Sequence, residues 1–345
     1  MQKMPLQRTE RTRNSLDDIV ISTKQQPYCR DSSGVIYCGD CLDFMKDWPD
    51  GCVDLVFCSP PYEDSRTYGI DFKIKGQEWV DWAKIRFMEC LRVSKGLVAW
   101  VVEGKTKNFR YSATPILLMA DLHRAGVHLR KPPAFQRVGI PGSGGPDWLR
   151  NDYEFIVCAT KGKLPWSDNT AMGHPPKWAP GGDMSHRLSD GSRVNQWGHS
   201  IDSGATVVDS SGVVRSKGKR PSHKILTKRG MRRANGNRRL HGYSVPKYAN
   251  PGNVIKCNVG GGTMGSKLAH ENEAPFPELL AEFFIRSFCP PGRIVLDPFC
   301  GSGTTMAVAE KAKRKWTGID IRENQVELSN GRIKEAISSQ GGLFE

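Results

Sequence analysis

The chain of 345 residues carries 50 lysines and arginines against 36 aspartates and glutamates, a formal net charge of +14. Hydrophobic residues make up 38% of it, which is enough to bury a core and excludes fibrous and largely disordered proteins. No run approaches the roughly 18 apolar residues of a membrane helix, and the charged amino terminus lacks the apolar segment of a secretory signal. Ten cysteines are too sparse for a disulfide scaffold, and Cys38-Gly-Asp-Cys41 lacks a second pair at metal-ligand spacing. We therefore expect a cytoplasmic protein with reduced thiols, no bound metal and no membrane partner.

Short apolar runs alternate with longer amphipathic stretches on both sides of the middle of the chain. Before the middle, the pattern predicts strands at 35–37, 53–57, 97–102 and 154–160, a helix at 78–93, and a helix opened by Thr114 as N-cap and Pro115. After it, the pattern predicts helices at 277–288, 304 to about 313 and 322 to about 337, with strands at 293–296 and 316–319. This alternation is typical of a mostly parallel sheet covered by helices on both faces.

The positive charge is concentrated in one segment. Residues 161–256 hold eighteen basic and five acidic residues, and residues 215–239 hold eleven bases and no acid. The segment is rich in Gly, Pro, Ser and Asn and shows little helical or strand periodicity. Its composition leaves two interpretations open: a solvated linker, or a module whose lysines and arginines contact the phosphates of a nucleic acid.

A glycine-rich turn follows the predicted strand at 293–296. Asp297 stands at the carboxyl end of that strand, where ligands bind in open α/β sheets. The glycines at 301 and 303 allow the backbone to approach a ligand closely, and Thr304 and Thr305 are predicted to cap the next helix. Because the turn lacks the lysine and the spacing of phosphate-binding loops, we expect its carboxylate to face a cationic ligand.

Asp320 closes the next predicted strand, seventeen residues after Gly303. This is close to the roughly 20-residue offset at which an acid binds ribose hydroxyls in nucleoside-binding α/β folds. Asp320 can equally serve as an N-cap of the last helix, and the two roles are compatible.

A second motif, Ser59-Pro60-Pro61-Tyr62, follows the predicted strand at 53–57. Prolines fix the backbone and lack an amide donor, which leaves the carbonyls around them to accept hydrogen bonds outward. The Ser59 hydroxyl adds an acceptor, and the Tyr62 ring offers a face for stacking. This set suits the exocyclic amino group of a flat heterocycle. The alternative is a proline-rich turn without chemistry, but its position after a buried strand favours a site.

Together the two motifs resemble those of the DNA amino-methyltransferases, which use S-adenosyl-L-methionine to methylate an exocyclic nitrogen of a base. In that family the cofactor turn reads Asp-Pro-Phe-x-Gly-Ser-Gly-Thr-Thr, and residues 297–305 match every fixed position. The catalytic tetrapeptide is Asp, Asn or Ser followed by Pro-Pro and an aromatic residue, as at 59–62. The motif order, with a basic segment between the two, resembles the beta-ordered, circularly permuted subgroup. Segments 272–277 and 39–41 are similar to the family's Ala-x-Phe-Pro segment and to its Gly-Asp pair near the adenine ring.

The resemblance implies a Rossmann-like α/β methyltransferase fold with a mostly parallel, seven-stranded sheet and a basic target-recognition insert. The implied divisions are a flexible amino-terminal segment at 1–30, a catalytic half at 31–160, the insert at 161–260 and a cofactor-binding half at 261–345. The cofactor-binding residues are then Asp40, Cys41, Phe276, Pro277, Asp297, Pro298, Phe299, Gly301, Ser302, Gly303, Thr304, Thr305 and Asp320. The residues expected to contact double-stranded DNA are Arg215, Lys217, Lys219, Arg220, Lys224, Lys228, Arg229, Arg232, Arg233, Arg238 and Arg239.

The implied mechanism assigns catalysis to Ser59, Pro60, Pro61 and Tyr62. The target base turns out of the duplex into a pocket and stacks on Tyr62. Its amino group donates hydrogen bonds to the Ser59 hydroxyl and the Pro60 carbonyl, and methyl transfer is a direct displacement. Cys58 lies in an apolar strand, so we do not expect it to act as a nucleophile.

Serine at the first position of the tetrapeptide resembles the cytosine-N4 enzymes, whereas adenine-N6 enzymes usually carry Asp or Asn. A hydroxyl can also donate to the acceptor N3 beside the cytosine amino group, which a carboxylate cannot. Adenine-N6 methylation remains the alternative, and more remote ones are methylation of RNA or of a protein amide, and DNA binding by an inactive core. The resemblance implies a bacterial or phage-encoded, nucleoid-associated enzyme, with or without a cognate restriction endonuclease. The recognition sequence and the oligomeric state are left open.

Overall fold

A computed structural model of the chain describes residues 16–64, 72–139, 147–175 and 248–341, with short strands at 185–187, 193–195, 207–208 and 214–215. The chain divides into two compact units, residues 1–172 with 252–345, and residues 173–251. The second unit is thus shorter than the predicted insert at 161–260. The difference at the carboxyl side arises because residues 254–258 pair with residues 134–138 in the sheet of the first unit.

The described strands, in chain order, are β1 (Cys29–Arg30), β2 (Gly34–Cys38), β3 (Val53–Cys58), β4 (Ser94–Val102), β5 (Thr106–Lys107), β6 (Arg110–Tyr111), β7 (His128–Leu129), β8 (Ala134–Val138), β9 (Tyr153–Thr160), β10 (Ser185–Arg187), β11 (Arg193–Asn195), β12 (Val207–Val208), β13 (Val214–Arg215), β14 (Val254–Asn258), β15 (Ile294–Asp297) and β16 (Lys315–Asp320). The helices are α1 (Leu16–Ser22), α2 (Cys41–Met45), α3 (Gly76–Val93), α4 (Thr114–Arg124), α5 (Glu278–Phe288), α6 (Thr304–Lys311) and α7 (Glu323–Gly341), with 3-10 turns at Gly261–Met264 and Lys267–Glu271.

Within the described part of the first unit, one sheet has ten strands. Their order is β1-β2-β16-β15-β3-β4-β9-β8-β14, and β7 also pairs with β9. The five strands from β2 to β4 are mutually parallel, whereas β9 is antiparallel to both β4 and β8. The predicted mostly parallel α/β sheet is therefore confirmed. It exceeds the seven predicted strands because β1, β7 and β14 are too short or too exposed to carry an apolar run.

Helices bury both faces of this sheet. Along β3, Val56 points into one hydrophobic cluster, whereas its neighbours Leu55 and Phe57 point into the other. The first cluster is completed by α1 to α4 and the second by α5 to α7. The central strands therefore read as continuous apolar runs, since neither face meets solvent.

Two local predictions were wrong. Part of the segment 1–30, predicted to be flexible, forms α1, in which Ile19 is fully buried. The sequence pattern did not indicate this helix, because its two buried residues, Leu16 and Ile19, span only one turn and lie among charged residues. The N-cap of α4 is Ala113, with a left-handed φ of 58°, because the Thr114 hydroxyl donates instead to Glu63 at 3.0 Å. Among the described residues, no helix has the length and apolarity needed to cross a membrane.

Candidate active site

A cleft opens where the carboxyl ends of β2, β3, β15 and β16 meet. Its empty space, including the open mouth, is about 940 Å³. Parallel strands place their following loops at one edge of a sheet, which is why motifs distant in sequence converge here. The predicted site residues that line the cleft are Asp40, Cys41, Ser59, Pro60, Pro61, Phe276, Pro298, Phe299, Gly301, Thr304 and Asp320.

Asp320 ties the glycine-rich turn to the start of α7. One carboxylate oxygen accepts from the amide of Gly301 at 2.9 Å, and the other accepts from the amide of Arg322 at 3.0 Å. Burial raises the pKa of the Asp320 carboxyl above its ordinary value. The N-cap of α7 is Arg322, whose carbonyl accepts from the Val326 amide at 3.1 Å, so the predicted N-cap role of Asp320 was wrong: its side chain closes a turn before the helix. Ribose recognition by the same carboxylate stays a prediction.

Glycine is required in this turn at position 303. Gly303 has a left-handed φ of 82°, and a side chain there would place its Cβ 2.9 Å from the Cα of Ser329. Gly303 is itself the N-cap of α6, without a side-chain hydrogen bond. The predicted capping by Thr304 and Thr305 was therefore wrong. Instead, the Thr304 hydroxyl accepts from Arg332 at 2.7 Å and the Thr305 hydroxyl donates to Asp297 at 2.6 Å.

Asp297 lies behind the wall of the cleft. It is only 1% exposed, and its two oxygens accept from the Thr305 hydroxyl at 2.6 Å and from the Phe299 amide at 3.0 Å. Burial raises the pKa of its carboxyl to about 7. In this structure the carboxylate shapes the turn and does not line the cleft, and its predicted role toward a cationic ligand stays a prediction. Ser302, Gly303 and Thr305 also lie outside the lining of the cleft.

An aromatic wall completes the cleft, and of its three rings only Phe299 was predicted. Trp82 of α3 lines the cleft with its ring centroid 5.0 Å from that of Phe72 and 5.7 Å from that of Phe299. The Arg86 guanidinium lies 4.4 Å from the centroid of the Trp82 ring and donates to Asp40 at 2.5 Å. Trp82 belongs to a helical stripe that is typical of a core face, so its pattern could not distinguish core from ligand contact.

A second pocket adjoins the cleft and contains the remaining tetrapeptide residue, Tyr62. Its empty space is about 610 Å³, and its lining includes Arg137 and Glu154 from strands β8 and β9. The residues shared by the two cavities are Ser59, Ala274, Pro275 and Phe276. Ser59 therefore lines both cavities, so a group bound in either one can reach its hydroxyl.

The Ser59 hydroxyl begins a hydrogen-bonded chain along this second pocket. Ser59 Oγ lies 3.2 Å from Tyr62 Oη, and Tyr62 Oη donates to Glu154 Oε2 at 2.7 Å. Glu154 Oε1 in turn pairs with the Arg137 guanidinium at 3.1 Å. Because a carboxylate paired with arginine only accepts, Tyr62 must donate to Glu154 and Ser59 must donate to Tyr62. Ser59 Oγ can therefore accept a hydrogen bond from a ligand through its lone pairs, whereas its proton is already donated to Tyr62.

The two proline carbonyls of the tetrapeptide differ in whether another residue hydrogen-bonds to them. The Pro61 carbonyl accepts from Trp79 Nε1 at 2.9 Å, so it does not point outward as we predicted. The Pro60 carbonyl accepts no hydrogen bond from any residue that the structure describes. Burial raises the pKa of the preceding Cys58 thiol well above its ordinary value, which keeps that thiol protonated and unreactive.

Sequence reasoning missed Glu154 and Arg137, because each is a single charged residue in a predicted strand or loop with no motif around it. Of the predicted DNA-contacting residues, Arg215 belongs to β13, and the ten others from Lys217 to Arg239 lie outside the described residues.

A family model described as DNA methylase, for N6 and N4 methyltransferases, matches residues 53–331. The chain belongs to this DNA methylase family. The orphan methyltransferase M.BamHII of Bacillus amyloliquefaciens is 27% identical over 304 residues, which are 85% of this chain and 93% of that protein. The type II methyltransferase M.HinfI of Haemophilus influenzae is 38% identical over 315 residues, which are 86% of this chain and 67% of that protein.

Among solved structures, the PvuII DNA methyltransferase, described as cytosine-N4-specific, matches this methylase with a TM-score of 0.58 at 18% identity. The match covers 92% of this chain and 94% of that chain and shows a shared methyltransferase fold. The predicted resemblance is confirmed, and with it the methyl donor of the family, S-adenosyl-L-methionine.

Proposed function

We propose that this methylase transfers a methyl group from S-adenosyl-L-methionine to the exocyclic N4 of cytosine in double-stranded DNA. One observation carries the proposal: Ser59 stands between the two cavities with its proton donated to Tyr62 and its lone pairs free to accept. The neutral acceptor Ser59 Oγ can bind an N–H of the target amino group. The lone pair of the amino nitrogen then stays available to attack the methyl carbon. The PvuII enzyme, which shares this fold, is described as cytosine-N4-specific, and this supports the same choice.

The cleft fits the methyl donor. Its aromatic wall of Phe72, Trp82 and Phe299 suits a purine ring, and the lining carboxylates of Asp40 and Asp320 suit ribose hydroxyls and a cationic ammonium group. When bound there, S-adenosyl-L-methionine supplies the electrophilic methyl group. We assign the base to the second pocket, because its wall carries the ring of Tyr62 and the acceptor Ser59.

The target amino group donates one proton to Ser59 Oγ and the other to the Pro60 carbonyl. These two acceptors turn the amino nitrogen so that its lone pair leaves conjugation with the ring and faces the cleft. Catalysis then comes from positioning and from dipoles that are oriented in advance.

The nitrogen loses one proton as it is methylated, and the hydrogen-bonded chain gives that proton a path. Ser59 Oγ receives the amino proton and passes its own to Tyr62 Oη, which passes its own to Glu154 Oε2. Each hydroxyl ends neutral, and Glu154 ends protonated beside Arg137. Toward the base, Ser59 is then only an acceptor, so its hydroxyl does not donate to cytosine N3 in this arrangement, although a serine at this position could do so.

Arg137 supports cytosine over adenine. Arg137 lines the second pocket, and its guanidinium, which pairs with Glu154 and donates to the Asn151 carbonyl, carries only donors. Beside its amino group, cytosine presents the two acceptors N3 and O2, whereas adenine presents N1 followed by a C–H. The pocket is thus more complementary to cytosine, and adenine-N6 methylation remains the second candidate because the family model covers both reactions.

The test is to express the protein in a bacterial host that lacks DNA methylation and to identify the modified nucleoside by mass spectrometry. We expect N4-methylcytosine, and Ser59→Ala expressed in parallel is the control for host activity. N6-methyladenine alone would overturn the choice of base, and the absence of both would overturn the proposed function. Methylation-sensitive sequencing of the same DNA then gives the recognition sequence.

A further inference from the structure

Residues 105–112 form a hairpin that follows strand β4 at the catalytic edge of the sheet. Strand β4 is parallel to β3, so the hairpin and the tetrapeptide leave the sheet side by side. Strands β5 and β6 pair Lys107 with Arg110. Asn108 and Phe109 are therefore the two central residues of the turn.

The turn has a backbone that favours glycine where phenylalanine stands. The φ angles of Asn108 and Phe109 are 50° and 61°, the positive pair that a type I′ turn requires. Such turns favour Asn followed by Gly, and Asn108 conforms to this preference. A bulky residue at positive φ is a clear outlier. Backbone preference therefore opposes Phe109, and strain of this kind clusters at functional positions.

Burial does not explain this phenylalanine either. Phe109 is 78% exposed, so its ring is not held by packing against the protein. Lys107 and Arg110 on either side of the turn are also exposed, and residues 104–112 contain no acid. The hairpin therefore presents an aromatic ring between two positive charges, which complements the stacked bases and phosphates of DNA.

A buried carboxylate connects the base of the hairpin to the catalytic tetrapeptide. Glu63, the residue after Tyr62, is only 3% exposed. Its Oε1 accepts from the Lys105 amide at 3.3 Å and from the Ser112 hydroxyl. Its Oε2 accepts from the Gly76 amide at the start of α3 at 2.8 Å. These contacts hold the hairpin in a defined position relative to Ser59 and Tyr62.

We propose that this hairpin is a DNA-contacting finger. Phe109 packs against the bases of the duplex beside the target, and Lys107 and Arg110 contact the flanking phosphates. The anchoring through Glu63 sets the DNA in register with the second pocket. The proposal rests on the DNA substrate of the proposed function but does not depend on which base is methylated.

Three substitutions at the tip separate a DNA contact from a structural role. Phe109→Gly and Phe109→Ala remove the ring, and Phe109→Trp keeps an aromatic face. We expect the first two to raise both the Kd and the KM for unmethylated phage lambda DNA by about tenfold, which corresponds to the loss of one stacking contact. Phe109→Trp should stay within about twofold of the wild type. Phe109→Gly should melt at the same or a higher temperature than the wild type, because glycine suits the turn.

Ile21→Ala is the matched control, since Ile21 is an apolar side chain of α1 with 82% exposure. It should leave DNA binding and methylation unchanged, and every variant should bind S-adenosyl-L-methionine as the wild type does. Wild-type Kd and KM in Phe109→Gly and Phe109→Ala would overturn the proposal, as would an equal loss in Ile21→Ala. If the product is N6-methyladenine, the proposed choice of base is wrong, but the Kd and KM of the Phe109 variants still test whether the hairpin contacts DNA.

Discussion

Tyr62 Oη donates to Glu154 Oε2 at 2.7 Å across 92 residues of sequence. This bond fixes the direction of the hydrogen-bonded chain from Ser59, and the chain is the path that we propose for the amino proton. Tyr62→Phe keeps a ring for stacking but breaks the path. We expect kcat to fall about 100-fold, the scale of one positioned proton transfer, with the KM for DNA nearly unchanged. Steady-state kinetics on lambda DNA measure both quantities.

Glu154→Gln tests the far end of the same chain, because an amide of similar shape still contacts Tyr62 but does not take up the proton. We expect a loss of kcat similar to that in Tyr62→Phe, and the double variant should be no worse than either single one. If the fall in kcat of the double variant equals the product of the two single falls, Tyr62 and Glu154 act independently, which would contradict a shared path. Unchanged binding of the methyl donor would show that the cleft is intact.

Ser59→Ala removes the acceptor for the target amino group. We expect methyl transfer to fall by about 100-fold to 1,000-fold, the usual effect of deleting one oriented hydrogen-bonding group. Binding of S-adenosyl-L-methionine and of DNA should persist, since the cleft and the basic segment are untouched; calorimetry and filter binding measure them. Turnover near that of the wild type would refute the assignment of Ser59.

Asp297→Asn should change how stability depends on pH. Burial raises the pKa of the Asp297 carboxyl from 3.8 to about 7, so between these values the folded protein holds a proton that the unfolded chain has lost. The stabilising effect is complete below about pH 4 and declines as the pH rises toward 7. Asparagine does not titrate, so the melting temperature of Asp297→Asn relative to the wild type should rise between about pH 5 and pH 7.5.

Asp43→Asn is the control for this experiment, because the Asp43 side chain is 59% exposed. The difference in melting temperature between Asp43→Asn and the wild type should be nearly the same at both pH values. A difference for Asp297→Asn that is constant or falls with pH would show that the buried carboxyl is ionised throughout.

The basic residues at 215–239 should make DNA affinity steeply dependent on salt. Replacing Lys217, Lys219 and Arg220 by glutamine is expected to reduce the slope of log affinity against log salt by about 0.9 for each phosphate contact removed. The exposed bases Lys46 and Arg124 of the first unit provide a control substitution. An unchanged slope in the triple variant, or an equal reduction in the control, would contradict the role of this segment.

The central sheet was predictable because its strands are buried on both faces. Val53–Cys58 and Ile294–Asp297 are buried at every position, and both are apolar except for Asp54 and the terminal Asp297. The tetrapeptide at 59–62 and the turn at 297–305 were also predictable, since each is local and its residue types are dictated by backbone geometry. Short or half-exposed elements such as Val254–Asn258 carry no such pattern, and they were missed.

The roles of single side chains depended on contacts between residues distant in sequence. Thr114 was predicted to cap a helix but donates to Glu63, and the Asp297 carboxylate accepts from Thr305 behind the wall of the cleft. Local sequence records which groups can donate or accept, whereas their partners are chosen by the packing of the whole chain. The sequence alone therefore determined the family, the motifs and the chemistry on offer. Folding decided which atoms face the two cavities, because only there do Ser59, Tyr62 and Glu154 meet.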